Sequence, residues 1–245
     1  MLPLTILAKT ISDAWFQLIY NIFDNSYRQD IQKGSFENEQ YRLQYPGAAI
    51  YINFPDQDMV PIIPVGMLDD KGNKIVSPTS EQFNQDYFVN YIMDPTLAEN
   101  ETYKYASRIH EKFYLPRFET QLGIVIDMLK KTPMTNQAVI EIAKPDDIVK
   151  CIGNDGKLDP PCLRLIDFKV LPPNVLTVTV YFRSWDLWAG LPVNLAGIEL
   201  LKQHVAHECG LANGPMYAYS AGLHIYGYQE KFARIRTMKE AKVGI

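Results

Sequence analysis

The sequence predicts an α/β or α+β fold in which a mixed, mostly antiparallel sheet is flanked by helices. Three observations predict it. Period-two segments such as LTVTVYFRS and helix-spaced segments such as NLAGIELLKQHVAHECG share the chain without strict strand–helix alternation. Of the 245 residues, 47% are apolar and 21% charged, a globular balance rather than a disordered one. No repeat, low-complexity tract or linker interrupts the apolar second half, so residues 1–245 read as a single domain.

The elements follow in order. TILAKTISDAWFQLIYNIFDN has Ile6, Ile11, Ala14, Leu18 and Ile22 near helical spacing and predicts an amphipathic helix. GAAIYINFPD predicts a short strand ended by Pro55, and the two prolines of MVPIIPVG predict an edge or loop. DDKGNKIVSPTS is an exposed turn region. SEQFNQDYFVNYIMDP is a helix with Ser80 as N-cap, stopped at Pro95. FETQLGIVIDMLKKTP is another, closing on two lysines before Pro133. AVIEIA, CLRLIDFKV and LTVTVYFRS are strands, with DGKLDPPC as a turn between the first two. NLAGIELLKQHVAHECG is a helix ending at Gly210, AGLHIYGY a last short strand, and a basic helical tail follows.

The bulk properties exclude several classes. A formal charge of −4 argues against a nucleic-acid partner, which needs a basic face. Three cysteines, Cys151, Cys162 and Cys209, form no paired framework, and a reducing compartment is expected. The apolar start lacks a basic n-region and a small-residue cleavage site. Lys9, Asp13 and Trp15 interrupt it well before a membrane-spanning length. The expectation is a soluble, cytoplasmic protein with no membrane partner. His204 and His207 stand beside Glu208 but do not spell HExxH and have no evident third ligand, so no metal is expected.

Chemistry concentrates in the second half. Cys162 follows two prolines in DPPCLRLIDF, a rigid turn that presents it at a strand start. FRSWDLWAGLPVNLAG supplies Arg183, Ser184, Asp186 and Asn194, four polar groups of different kinds in an apolar segment. Buried polar groups need partners, so such a segment suits a small polar ligand better than a plain core. SAGLHIY adds His224 and Tyr226 on one strand face. A thiolate is a strong nucleophile, and a nearby arginine raises its fraction. Arginine and serine hold phosphate. Asparagine pairs with the N3–H and O4 edge of uracil, and histidine and tyrosine bond sugar hydroxyls. The plainer roles are a buried small hydrophobe for a lone cysteine, a helix cap for Asp186, and packing for Trp185 and Trp188. Cys151 and Cys209 read as structural.

These residues, in this order, resemble the thymidylate synthase family. PPC at Cys162, RSWDLWAGLPVN, and His224-Ile225-Tyr226 match its motifs, and EAKVGI is similar to its closing tail. The match is specific from about residue 130 onward. In the first half, NSYRQDIQKGSFENEQYRL aligns in spacing with the phosphate-binding loop, and YKYASRIHE with a tyrosine-containing segment. The compact archaeal-type members look most similar. The resemblance implies a pyrimidine nucleoside monophosphate and 5,10-methylenetetrahydrofolate as substrates, and a homodimer with two sheets packed face to face. It implies that Cys162 attacks C6 of the pyrimidine, and that Arg28, Arg183 and Ser184 hold the phosphate. Asn194 grips the base edge, Asp186 bonds the pterin, and His224 and Tyr226 bond the 3′-hydroxyl. Ile245 closes over the folate. dUMP methylation is the leading implication, and 5-hydroxymethylation of a pyrimidine nucleotide, or a homologue that binds without catalysis, are the alternatives. The departures are Asn136 and Gln137 where the family carries two partner-donated arginines, Leu163 where a histidine often follows the nucleophile, Tyr87 (beside Asp86) where a glutamate stands, and no tryptophan-rich shield.

Overall fold

The computed structural model describes residues 2–31, 40–99, 101, 103–114, 118–153 and 159–239. In chain order the elements are β1 (Leu4–Ala8), α1 (Ile11–Asn25), β2 (Tyr27–Asp30), β3 (Tyr41–Gln44), β4 (Ala48–Ile52), α2 (Glu81–Tyr87) and α3 (Tyr105–Ile109). They continue with β5 (Lys112–Tyr114), β6 (Phe118–Thr120), α4 (Gln121–Lys131), β7 (Val139–Glu141), α5 (Pro145–Gly153), β8 (Leu163–Leu171) and β9 (Val175–Phe182). The last are β10 (Trp185–Asp186), α6 (Gly190–Cys209), β11 (Ala212–Ser220), β12 (Leu223–Tyr226) and α7 (Gly227–Thr237).

Six strands form the main sheet in the order β1-β4-β11-β9-β8-β7. The pairs β1·β4 and β11·β9 are parallel and the other three antiparallel, so the sheet is mixed as the sequence predicts. A smaller sheet runs β10-β12-β3-β2. Period two decides what each strand buries. Ile6, Ile50, Met216, Ala218, Val178 and Val180 face inward and are at most 4% exposed. Onto that face pack α1 and α6.

The first helix begins later than its periodicity suggests. Leu4–Ala8 is a strand, because Ile6 and Ala8 alternate inward and pair in parallel with β4. Thr10 then caps α1, accepting from Asp13 N at 3.2 Å. The helix buries Ile11, Ala14, Trp15, Leu18, Ile19 and Ile22 along one stripe. Its outer aromatics are covered by cations of α7 and the residues after it: Arg234 lies 4.1 Å over Phe23, Arg236 4.3 Å over Phe16, and Lys239 4.0 Å over Tyr20. Ser80 caps α2 as the sequence predicts, and the helix continues as a π-turn over Phe88–Met93 before Pro95.

Strand β11 was missing from the sequence reading. Its Gly214-Pro215 pair speaks against a central strand, yet β11 lies between β4 and β9. The register shifts between Asn213 and Met216, so the proline sits in a bulge where no ladder donor is required. Gly214 is forced by space, since a Cβ there would stand 2.4 Å from Val175 Cγ1. Helix α6 is buried on nearly all sides, from Leu191 to Ala206, and Gly210 closes it in the left-handed conformation at φ 66°. Among the described residues no helix is long and apolar enough to cross a membrane.

Candidate active site

Topology gathers the site at one end of the main sheet. β8 starts just after Cys162 and β9 ends just before Arg183, and the two strands pair antiparallel with Leu163 opposite Phe182. Arg183 N therefore donates to Cys162 O at 2.9 Å. The chain then crosses to the small sheet, where Asp186 is paired with His224 and His224 with Gln44.

The Pro160-Pro161-Cys162 turn is held by two arginines. Arg183 donates from Nη2 to Pro160 O and from Nε to Pro161 O at 3.3 Å, and Arg164 Nη1 donates to Pro161 O at 3.2 Å. Asp159 lies 3.8 Å from Arg183. Burial pushes the Cys162 thiol up, Arg183 and Arg164 draw it down, and Asp159 opposes them. The thiol is thus a protonated reserve whose ionisation Arg183 favours.

Phenols wall this sulfur. Tyr87, Tyr91, Tyr103, Tyr105 and Tyr226 all lie within its electrostatic reach. Tyr87 stacks on Tyr91 with centroids 5.1 Å apart, Tyr91 meets Tyr105 edge-on, and the Tyr105 hydroxyl accepts from Leu163 N at 3.3 Å. Burial raises every one of these phenols, Tyr226 up to about 12, so they stay protonated donors near neutral pH.

Asn194, in the first turns of α6, accepts from Trp185 Nε1 at 2.9 Å and donates to the Tyr87 hydroxyl at 2.8 Å. Each end of the amide keeps one further bonding position. Asp186 performs the capping role, its carboxylate accepting from Trp188 N (3.0 Å), Ala189 N (3.3 Å) and Gly190 N (3.2 Å) at the start of α6. Burial raises its carboxyl while these amides pull it back.

His224 is 2% exposed. Its Nδ1 lies 2.8 Å from Gly222 O, and a carbonyl can only accept, so Nδ1 carries the proton. Burial lowers its pKa to about 4, leaving Nε2 a neutral acceptor, buried and without a partner. Tyr226 meets the imidazole edge-on at 4.8 Å.

Cys162, Arg183, Asp186, Asn194, His224 and Tyr226 are thus brought together, with the half-buried Ser184 beside Arg183. Arg28 is not. Paired residues share a sheet face and neighbours alternate, so Tyr27, Gln44 and His224 point one way and Arg28 the other. Arg28 lies 3.8 Å over the Tyr41 ring and 3.2 Å from Asp30, with 61% of its side chain exposed. The cation on the His224 face is Arg42, which pairs with Tyr226 and acts electrostatically on both rings. Sequence reading missed Arg42, whose only signal was the alternation of YRLQ. It also missed the tyrosine wall, signalled by Tyr87 and Tyr91 four apart and Tyr103 and Tyr105 two apart. Ile245 and residues 32–39 of the expected phosphate loop lie outside the described residues. Lys130 and Lys131 are taken up by Glu208 (3.5 Å) and Asp127 (3.9 Å). Among the described residues no group of three or more His, Cys, Asp or Glu could hold a metal.

The sequence profile of the thymidylate synthase family matches residues 100–242, more than half of the chain. The chain belongs to the thymidylate synthase family. The matched region carries Cys162, the Arg183–Asn194 segment and the His224–Tyr226 strand. Two similar relatives are the proteins named thymidylate synthase from varicella-zoster virus, strains Dumas and Oka vaccine, each 36% identical over 113 residues. That alignment covers 46% of this chain and 35% of each viral protein, so the similarity spans about a third of the relatives' length.

Proposed function

We propose that this chain is a pyrimidine nucleotide C1 transferase of the thymidylate synthase type, methylating dUMP at C5 to give dTMP and dihydrofolate. The observation that carries the reading is the grouping of an Arg183-assisted thiol, a half-satisfied amide on Asn194 and the unpartnered Nε2 of His224 around one end of the sheet.

Each group has a task. Cys162 ionises, its sulfur forms a bond to C6, and the ring's electron pair moves through C5 and C4 to the 4-oxygen. The Asn194 amide N–H stabilises that oxygen as charge develops on it, and the amide oxygen accepts from N3–H. C5, now electron-rich, is where the one-carbon unit adds. Loss of the C5 proton would expel the folate amine from the added methylene, a hydride from the folate would complete the methyl group and leave dihydrofolate, and departure of the sulfur would restore the ring. Arg183 and Ser184 hold the phosphate, Arg42 adds positive charge on the His224 face, and His224 Nε2 and Tyr226 bond the 3′-hydroxyl. Arg28 serves the phosphate only if it turns from Tyr41 and Asp30. 5,10-Methylenetetrahydrofolate, when bound, supplies the one-carbon unit and a hydride. The stacked Tyr87–Tyr91 surface suits a planar pterin, and the Asp186 carboxylate would bond it by exchanging its Gln229 hydrogen bond for one to the pterin; Ile245 would close over it.

The wall of phenols favours one second reading, 5-hydroxymethylation. Phenol hydroxyls beside the thiol can order water where an apolar shield would exclude it, and water rather than hydride would then complete the product. Incubation with methylenetetrahydrofolate and dUMP, UMP, dCMP or CMP separates the readings. Dihydrofolate and a methylated product support the first. Tetrahydrofolate and a product heavier by formaldehyde support the second. Nucleotide binding with no turnover contradicts both.

A further inference from the structure

The Asn194 carboxamide is held by protein at both ends, from Trp185 at 2.9 Å and to Tyr87 at 2.8 Å. An indole N–H only donates, so the atom facing Trp185 must be the oxygen. Trp185 cannot readily turn: it is 2% exposed and lies flat on Phe182, centroids 3.8 Å and planes 4° apart. Tyr87 is seated as firmly. A Cβ on Gly197 would stand 2.7 and 2.8 Å from Tyr87 Cδ1 and Cε1. Gly197 lies three residues after Asn194, on the same face of α6. A helix-interior glycine is disfavoured; here its missing side chain is what lets the ring reach the amide.

This fixes which polarity the amide shows to a base. Uracil offers a donor at N3 and an acceptor at position 4, and cytosine offers the reverse. An amide free to rotate by 180° serves either, whereas one held by a donor-only indole serves one. Tyr87 lies within the electrostatic reach of Cys162. In the nucleotide reading above, the remaining Nδ2 hydrogen meets position 4, next to the C5–C6 bond that the thiol addresses, and Oδ1 meets N3. An N–H facing position 4 requires an oxygen there.

We propose that Trp185 and Tyr87, the latter seated on Gly197, are positioning residues that lock the Asn194 amide and so make the site select 4-oxo over 4-amino pyrimidine nucleotides. This rests on the nucleotide reading above. The test is titration calorimetry of dUMP and dCMP against the unmodified chain, Trp185→Phe and Tyr87→Phe, with melting temperatures to verify folding. The unmodified chain should bind dUMP at least about tenfold tighter than dCMP. Trp185→Phe keeps a ring on Phe182 but removes the N–H, and should narrow that ratio by about fivefold or more through tighter dCMP binding. Tyr87→Phe should narrow it in the same direction, and carries the test alone if Trp185→Phe does not fold. An unchanged ratio in the folded variants, or no base preference in the unmodified chain, overturns the lock while leaving the nucleotide reading standing. Failure of the unmodified chain to bind either nucleotide overturns that reading and the lock with it.

Discussion

Cys162 is a thiol pulled two ways, upward by burial and Asp159 and downward by Arg183 and Arg164. Its alkylation rate should therefore climb with pH, with a midpoint above that of a free thiol. Arg183→Ala should slow alkylation at pH 8 by about tenfold, one pKa unit being a factor of ten in thiolate. Arg183→Lys should restore part of it, and an unchanged rate in the alanine variant would remove Arg183 from the thiol's chemistry. At this scale the residue types were legible. A cysteine after two prolines and an Arg-Ser-x-Asp stretch announce their chemistry by composition. The Trp185–Asn194–Tyr87 chain was not legible, because Tyr87 and Asn194 are 107 residues apart and meet only through packing of α2 on α6. Arg42 was hidden for a related reason: which of two nearby arginines faces the site depends on strand register, and a one-residue slip inverts the answer.

Among the elements, α6 carries more than the Asn194 amide. Fully buried Lys202 donates to Gly214 O in the β11 bulge and lies 2.8 Å from Glu199 Oε2. Glu199 Oε1 accepts from Gln203 at 3.0 Å and Asn213 at 2.7 Å. This buried pair fastens the helix to the strand whose Gly-Pro sequence otherwise reads as a break. Lys202→Met leaves a carboxylate without its counter-charge, at a cost of about 3–5 kcal/mol near neutral pH. Burial raises the Glu199 carboxyl. The variant's deficit should thus shrink as pH falls from the raised folded value of Glu199 toward the ordinary carboxyl value, and vanish only below it, where Glu199 is neutral in both folded and unfolded chains. Denaturant unfolding of Lys202→Met at pH 7 and pH 4.5 measures this, and a pH-independent deficit would contradict it. The sequence marked α6, β8 and β9 by their periods. It misassigned β1, whose five residues are too few for period to separate strand from helix, and passed over β11, whose bulge is a tertiary device.

For the whole molecule, the helices α1 and α6 cover one face of the main sheet and leave the other a continuous row. Leu7, Tyr51, Tyr217 and Thr179 are paired in succession across four strands, and Tyr219 and Tyr181 lie beside them. Leu7 is 73% and Tyr219 45% exposed. An aromatic face of this kind suits a second copy of the chain, in keeping with the sheet-to-sheet homodimer that the family resemblance implies. Sedimentation of the unmodified chain should give a dimer, and Leu7→Glu with Tyr219→Glu a folded monomer; a monomer from the outset would contradict the pairing. The central claim remains the sulfur–carbon bond. Its most direct measurement is mass spectrometry of protein mixed with dUMP and methylenetetrahydrofolate and quenched in denaturant. The account predicts a nucleotide-sized mass increase on the peptide bearing Cys162 that vanishes in Cys162→Ser. Turnover that persists in Cys162→Ser, or an adduct carried by Cys151 or Cys209, would contradict it.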